Sequence, residues 1–354
     1  MTKIHIPQSA VNKHLDAFHE PICLILKRLI DGKPVVISGE RYEKDIDCDV
    51  LKCFFATLYR FFEVRENSLL VAMPNVIREA ISEVHTQLSN VQAAGLEGLC
   101  RRILKNLFSF RHFATGYGLK IVGDNSIAGN SRSGWSAGAF IRELGVRCCP
   151  YCNAEAIYSV VIEKHVSNAE NPKNTTIKSS LDHYYLKSEY PYLALSLHNL
   201  VPSCARCNTS IKGKVDFAQH DYANPYEDDI HAKTLFSYIL TGESRNVLYD
   251  DDCISLFLKA RNRNADKELD LMRFFQTEEI YNTLFRFEAA NIIATNRRIV
   301  SEYGKRLRKD MPDLTDEQFN RLVYGCSLNP SNINKERLSK MTIDLVGCPC
   351  RRGL

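Results

Sequence analysis

Cys149-Pro150-Tyr151-Cys152 opens a segment that Cys204-Ala205-Arg206-Cys207 closes after 51 intervening residues. Inside it lie Leu181-Asp182-His183 and His198-Asn199-Leu200-Val201-Pro202-Ser203, and Asn208 directly follows the last cysteine. A Cys-x-x-Cys turn lets two sulfurs converge on one ion, so two turns supply the four thiolates of a tetrahedral zinc site. Four sulfur ligands leave no open coordination position. The zinc is therefore expected to be structural, its binding energy serving as folding energy for a small β-hairpin module. Cys148 adjoins the first pair, but Cys149 keeps the two-residue spacing to Cys152. A redox Cys-x-x-Cys would leave the second pair unexplained.

The rest of the chain sets bounds. Its 354 residues suffice for two or three domains or one large one. At 45% hydrophobic and 25% charged, the composition is that of a globular protein. No long uncharged apolar run suggests a membrane span, and the first residues lack the apolar core of a secretion signal, so a cytoplasmic location is expected. With 13 cysteines and no such signal, metal binding is favoured over disulfides. Cys23, Cys53 and Cys100 read as small core residues, and Cys348-Pro-Cys350 is a weak second metal candidate. A net charge of +4 does not by itself imply a nucleic-acid partner. Two basic clusters say more: Arg101, Arg102, Lys105, Arg111, Lys120, Arg132, Arg142 and Arg147 in one, and Arg297, Arg298, Lys305, Arg306, Arg308 and Lys309 in the other. Each suits a phosphate backbone or a solvated helix face.

Periodicity predicts an α+β, mostly helical chain: a helical region over 1–140, the cysteine-framed module over 141–230, and a second helical region over 231–354. Pro21 is expected to open a helix that Gly32 and Pro34 stop, with further helices over 49–64, from Pro74, and along Leu96, Leu99, Ile103 and Leu107. Val35–Ile37 reads as a short strand, 116–138 as a loop-rich linker, and the single Trp135 as a packing residue. In the module, strands are expected over 157–162, 177–184 and 193–199, with a short helix near Asn208. Ile280, Leu284 and Phe287 share a helix face, and Thr315-Asp-Glu-Gln318 has a capping-box pattern.

Asp182-His183, Asn199 and Asn208, set in this cysteine frame, resemble the zinc-stapled HNH endonucleases, the His-Me finger or ββα-metal family. The resemblance covers about 80 residues, through Lys187-Ser188, Pro191 and Lys212-Gly213-Lys214. Leu186 stands where many relatives have proline, and the stretch from Cys152 to Asp182 is long. Phosphodiester hydrolysis needs an activated water, a cation at the phosphate and help for the leaving oxygen. The resemblance implies His183 as general base, and Asp182 and Asn208 as hard oxygen ligands for one Mg²⁺ or Mn²⁺. Asn199 would hold the loop and orient His183, while Lys187, Arg206, Lys212 and Lys214 would grip phosphates. His198 reads as a surface or substrate-facing residue.

These expectations make the chain a metal-dependent endonuclease acting on DNA. The alternatives are a non-catalytic zinc-containing nucleic-acid-binding module and an HNH-type RNase. The wording around Asp182 and Asn199 is similar to HNH subunits of the Septu and retron anti-phage defence systems. That likeness implies a separate ATPase partner, since no phosphate-binding Gly-x-x-x-x-Gly-Lys motif occurs here.

Overall fold

The first element, α1 (Gln8–Ile30), carries Leu15, Phe18, Ile22, Ile25, Leu26 and Leu29 along one buried stripe. A computed structural model describes residues 1–347 apart from 44–45, 124–125, 133, 165–172 and 241–250. Pro21 sits inside α1 rather than opening it. A proline lacks the N–H that would bond the carbonyl four residues back, here that of Ala17. Gly118 approaches that same carbonyl so closely that a Cβ would lie 3.1 Å from its oxygen.

Next come β1 (Val35–Ile37), β2 (Glu40–Tyr42), α2 (Asp49–Arg60), α3 (Pro74–Ala93), α4 (Glu97–Leu107) and α5 (Phe110–Thr115). Pro74 opens α3, as its fixed φ favours. The span read as a linker instead forms β3 (Tyr117–Ile121) and β4 (Ser126–Arg132), before α6 (Ala137–Leu144). The four strands make one sheet in the order β2-β1-β4-β3, with β1 and β4 parallel. Gly, Ser and Asn were a poor guide there because β3 is paired and packed on α1.

The cysteine-framed segment holds two antiparallel hairpins. β5 (Ser159–Lys164) pairs with β6 (Lys173–Lys178), and β7 (Ser180–His183) with β8 (Leu200–Ser203). The strand expected over 177–184 is thus split between two sheets. Residues 193–199 form short 3-10 turns instead of a strand, and pairing starts only at Leu200. A widened, π-type helical segment, Arg206–Lys212, follows β8.

The last third is helical apart from one hairpin, β9 (Thr234–Leu240) with β10 (Ile254–Ala260), preceded by the short α7 (Ile230–Lys233). Then follow α8 (Asp266–Phe274), α9 (Thr277–Leu284), α10 (Arg286–Ile299), α11 (Glu302–Lys309), α12 (Asp316–Tyr324) and α13 (Ser339–Gly347). The Thr315–Gln318 capping box forms as expected at α12. Ile280 and Leu284 lie on α9 but Phe287 on α10, so the three do not share one helix face as expected, and Leu284 and Phe287 are exposed. One apolar cluster runs from Met1 to Leu345 through all three regions. Among the described residues no helix is long and apolar enough to cross a membrane.

Candidate metal centre and histidine site

Cys149, Cys152, Cys204 and Cys207 are all buried, and their sulfurs lie within 4.8 Å of one another. Cys152 Sγ and Cys204 Sγ are 4.0 Å apart. A tetrahedron with Zn–S near 2.3 Å has edges of about 3.8 Å, so the spacing fits a zinc-sized ion with soft sulfur donors. Burial pushes the Cys149 thiol up, whereas hydrogen bonds from neighbouring thiols bring Cys152 and Cys204 down. Four sulfurs this close cannot all hold charge unless a cation joins them. Cys148 stays outside the cluster, its strand bridge being to Ala156. Cys100 is buried and Cys23 half-buried, but Cys53 is exposed, against the core role expected for it. Cys348 and Cys350 lie outside the described residues.

The first cysteine turn is tied to the C-terminal region. Asn153, at φ 54°, donates through Nδ2 to the Ile333 carbonyl at 2.7 Å and accepts from Lys340 N at 2.9 Å. The Tyr281 hydroxyl donates to the Cys152 carbonyl at 2.8 Å. Tyr151 stacks on Phe275 and donates from its hydroxyl to Asp182 Oδ2 at 2.7 Å. The first cysteine turn thereby reaches β7 through Tyr151.

Asp182 and His183 face opposite sides of β7, as strand alternation requires. Asp182 is 4% exposed, and Lys212 Nζ lies 2.7 Å and 2.9 Å from its two oxygens. The same ammonium donates to the His183 carbonyl and sits over the Phe217 ring. Two earlier assignments change here. Lys212, with a fully buried side chain, faces a carboxylate instead of solvent phosphate. Asp182, covered by Lys212 and Tyr151, has no open face for a divalent ion. Burial lowers the Lys212 pKa, and the Asp182 charge works against that shift.

Arg206 also departs from its expected phosphate role. Its Nη2 lies 3.7 Å from Cys152 Sγ, and its Nη1 is 3.6 Å from Glu155. Four thiolates around a dication retain net negative charge, which this guanidinium offsets. Lys187 and Lys214 are exposed. His198 is buried with its ring against Tyr226, so it is not a surface residue.

On the other face of β7, His183 Nε2 is 3.1 Å from the Ala194 carbonyl. A carbonyl can only accept, so Nε2 carries the hydrogen and Nδ1 keeps the lone pair. Nδ1 has no hydrogen-bond partner among the described residues and is not sealed from solvent. The ring meets Phe110 edge-on at 4.8 Å. Burial first, and then the Lys187 charge, lower its pKa to about 3, so the imidazole is neutral at physiological pH.

Asn199 is fully buried. Its Oδ1 accepts from Tyr185 N at 2.7 Å, and its Nδ2 donates to the carbonyls of Tyr185 and Leu193 at 3.1 Å. It clamps the loop that carries Ala194. A second clamp was not legible in the sequence. Trp135 Nε1 donates to His14 Nδ1 at 3.0 Å, and His14 Nε2 lies 2.7 Å from the Leu195 carbonyl. The adjoining carbonyls of 194 and 195 therefore anchor the loop to two histidines. His14 lies on an apolar stripe of α1, where only its polarity could have marked it. Asn208 is half-buried at the start of the π-type segment, and its amide has no hydrogen-bond partner among the described residues. Comparison with protein-family models, curated proteins and solved structures finds no match.

Proposed function

We propose that this chain is an endonuclease that hydrolyses phosphodiester bonds in DNA, with His183 as general base. The observation that carries the reading is the hydrogen bond from His183 Nε2 to the Ala194 carbonyl, which leaves a neutral imidazole with its lone pair at Nδ1. In the proposed step Nδ1 takes a proton from water as the water oxygen bonds to phosphorus. The bond from phosphorus to the 3′ oxygen breaks, and solvent supplies the proton that the departing oxygen needs. A bound phosphate anion would raise the depressed pKa of His183 towards the range in which it works as a base.

The antiparallel β7–β8 hairpin followed by the helical segment bearing Asn208 supports the likeness to the ββα-metal family. Asn208 fits as an oxygen donor to Mg²⁺ or Mn²⁺, an ion that usually keeps several waters and shares substrate phosphate oxygens. Bound there, such an ion would supply charge stabilisation at the phosphate. Asp182 does not fit as its second ligand while Lys212 covers it. The family likeness extends the reading to an effector of anti-phage defence that works with a separate ATPase chain.

That covered Asp182 also favours a second reading, a zinc-containing module that binds nucleic acid without cutting it. One assay separates the two. Wild type and His183→Ala are incubated with plasmid DNA and with RNA, with Mg²⁺ or Mn²⁺. General-base catalysis predicts a rate lower by about 10²–10⁴-fold for His183→Ala. Equal cleavage by the two proteins would sink the base assignment, and cleavage of RNA alone would replace DNA as substrate.

A further inference from the structure

A groove of 480 Å³ runs between the α4–α5 junction and the loop after β7. Lys105, Phe110 and Arg111 line one side, and Lys187, Pro191 and Ala194 the other. Two of these residues also touch His183: the Phe110 ring packs against the imidazole, and the Ala194 carbonyl holds Nε2. The groove thus shares two of its walls with the surroundings of His183, which is not itself among the lining residues.

Lys105, Arg111 and Lys187 are exposed, and none of them has an ion-pair partner among the described residues. Their neighbours differ: Arg101 pairs with Glu97 and Arg102 with Glu40. Lys187 Nζ lies over the Phe110 ring, 5.4 Å from its centroid. Three cations left free around a half-buried aromatic make a surface for a polyanion that also presents flat rings. A nucleic-acid strand has this chemistry, with charge along its backbone and π-faces on its bases. The volume suits a nucleotide or two of one strand.

We propose that this groove binds a single strand of DNA through Lys105, Arg111 and Lys187 and leads its backbone to His183. The choice of DNA rests on the nuclease reading above. The binding site would then be shared between the N-terminal region and the cysteine-framed segment.

The test is fluorescence anisotropy with a labelled single-stranded DNA of about 20 nucleotides. The protein carries His183→Ala to prevent cleavage, and circular dichroism checks its fold. Each lost phosphate contact lowers the salt slope of log K by about 0.7, which at 0.1 M salt is about fivefold in affinity. Lys105→Ala/Arg111→Ala/Lys187→Ala should therefore bind about 100-fold more weakly, with a slope lower by about 2. Arg263→Ala/Arg273→Ala/Lys335→Ala, three exposed cations outside both basic clusters, should bind as the parent does. Unchanged binding by the groove triple would overturn the proposal, as would equal loss in the control triple or no binding by the parent. A loss confined to RNA of the same sequence would overturn the assignment to DNA. Plasmid cleavage by wild type, measured in parallel, keeps the two readings apart: cleavage with no groove effect removes only the groove, and groove-dependent binding without cleavage removes only the nuclease.

Discussion

Replacing Lys212 by methionine asks whether this lysine grips substrate or supports the fold. Its side chain is wholly buried and that of Asp182 is 5% exposed, with Nζ within 2.9 Å of both carboxylate oxygens. Lys212→Met keeps most of the apolar stem but leaves a buried carboxylate with the Tyr151 hydroxyl as its one side-chain donor among the described residues. Breaking a buried ion pair from one side typically costs about 3–5 kcal/mol, and the His183 carbonyl loses a donor as well. At an m-value of about 3 kcal/mol/M, the urea midpoint should fall by about 1–1.7 M. Circular dichroism and Trp135 fluorescence both report the transition. Adding Asp182→Asn removes the stranded charge and should recover most of the loss. A Lys212→Met protein as stable as wild type but weaker in binding nucleic acid would refute the structural role and restore the phosphate-gripping one.

Two further predictions concern the metal and the buried histidines. Metal analysis should find about one zinc per chain, and Cys204→Ser should lose it together with cooperative unfolding; a zinc-free Cys204→Ser protein of unchanged stability would contradict the four-sulfur site. The pKa of His14 is lowered to about 3 and that of His198 to about 4, both chiefly by burial. The unfolded chain, with ordinary histidines near 6.5, then binds more protons than the native one, so stability is full above that value and falls as pH drops towards the native pKa. Between pH 6.5 and 5 each should cost about 1.5 kcal/mol, and His14→Gln should flatten the urea-midpoint profile over that interval. A profile that His14→Gln leaves unchanged would argue against a neutral buried His14.

What the sequence made legible was local. The paired Cys-x-x-Cys turns, the Pro74 helix start and the Thr315 capping box depend on neighbours in the chain, and each sits where it was read. What it hid depends on distant partners. Pro21 looked like a helix start because the approach of β3 to Ala17 lies about a hundred residues away in sequence. Residues 193–199 looked like a strand, but Asn199 and His14 fix that stretch as turns by bonding its carbonyls. The same limit applies at the site. Asn199 clamps a loop through its amide, whereas Lys212 and Arg206 read as phosphate contacts because their buried partners, Asp182 and Cys152, are invisible to a count of charges.

The contact from Tyr151 to Asp182 has a consequence for the protein in a living cell. A metal that binds only the folded chain stabilises it by mass action, by about 1.4 kcal/mol for each tenfold rise in free metal above the dissociation constant. Because the cysteine cluster reaches β7 through one tyrosine, the strand that carries His183 shares in that dependence. Zinc supply would then set how much of the chain stands ready at any moment, a limit on abundance that needs no regulatory partner.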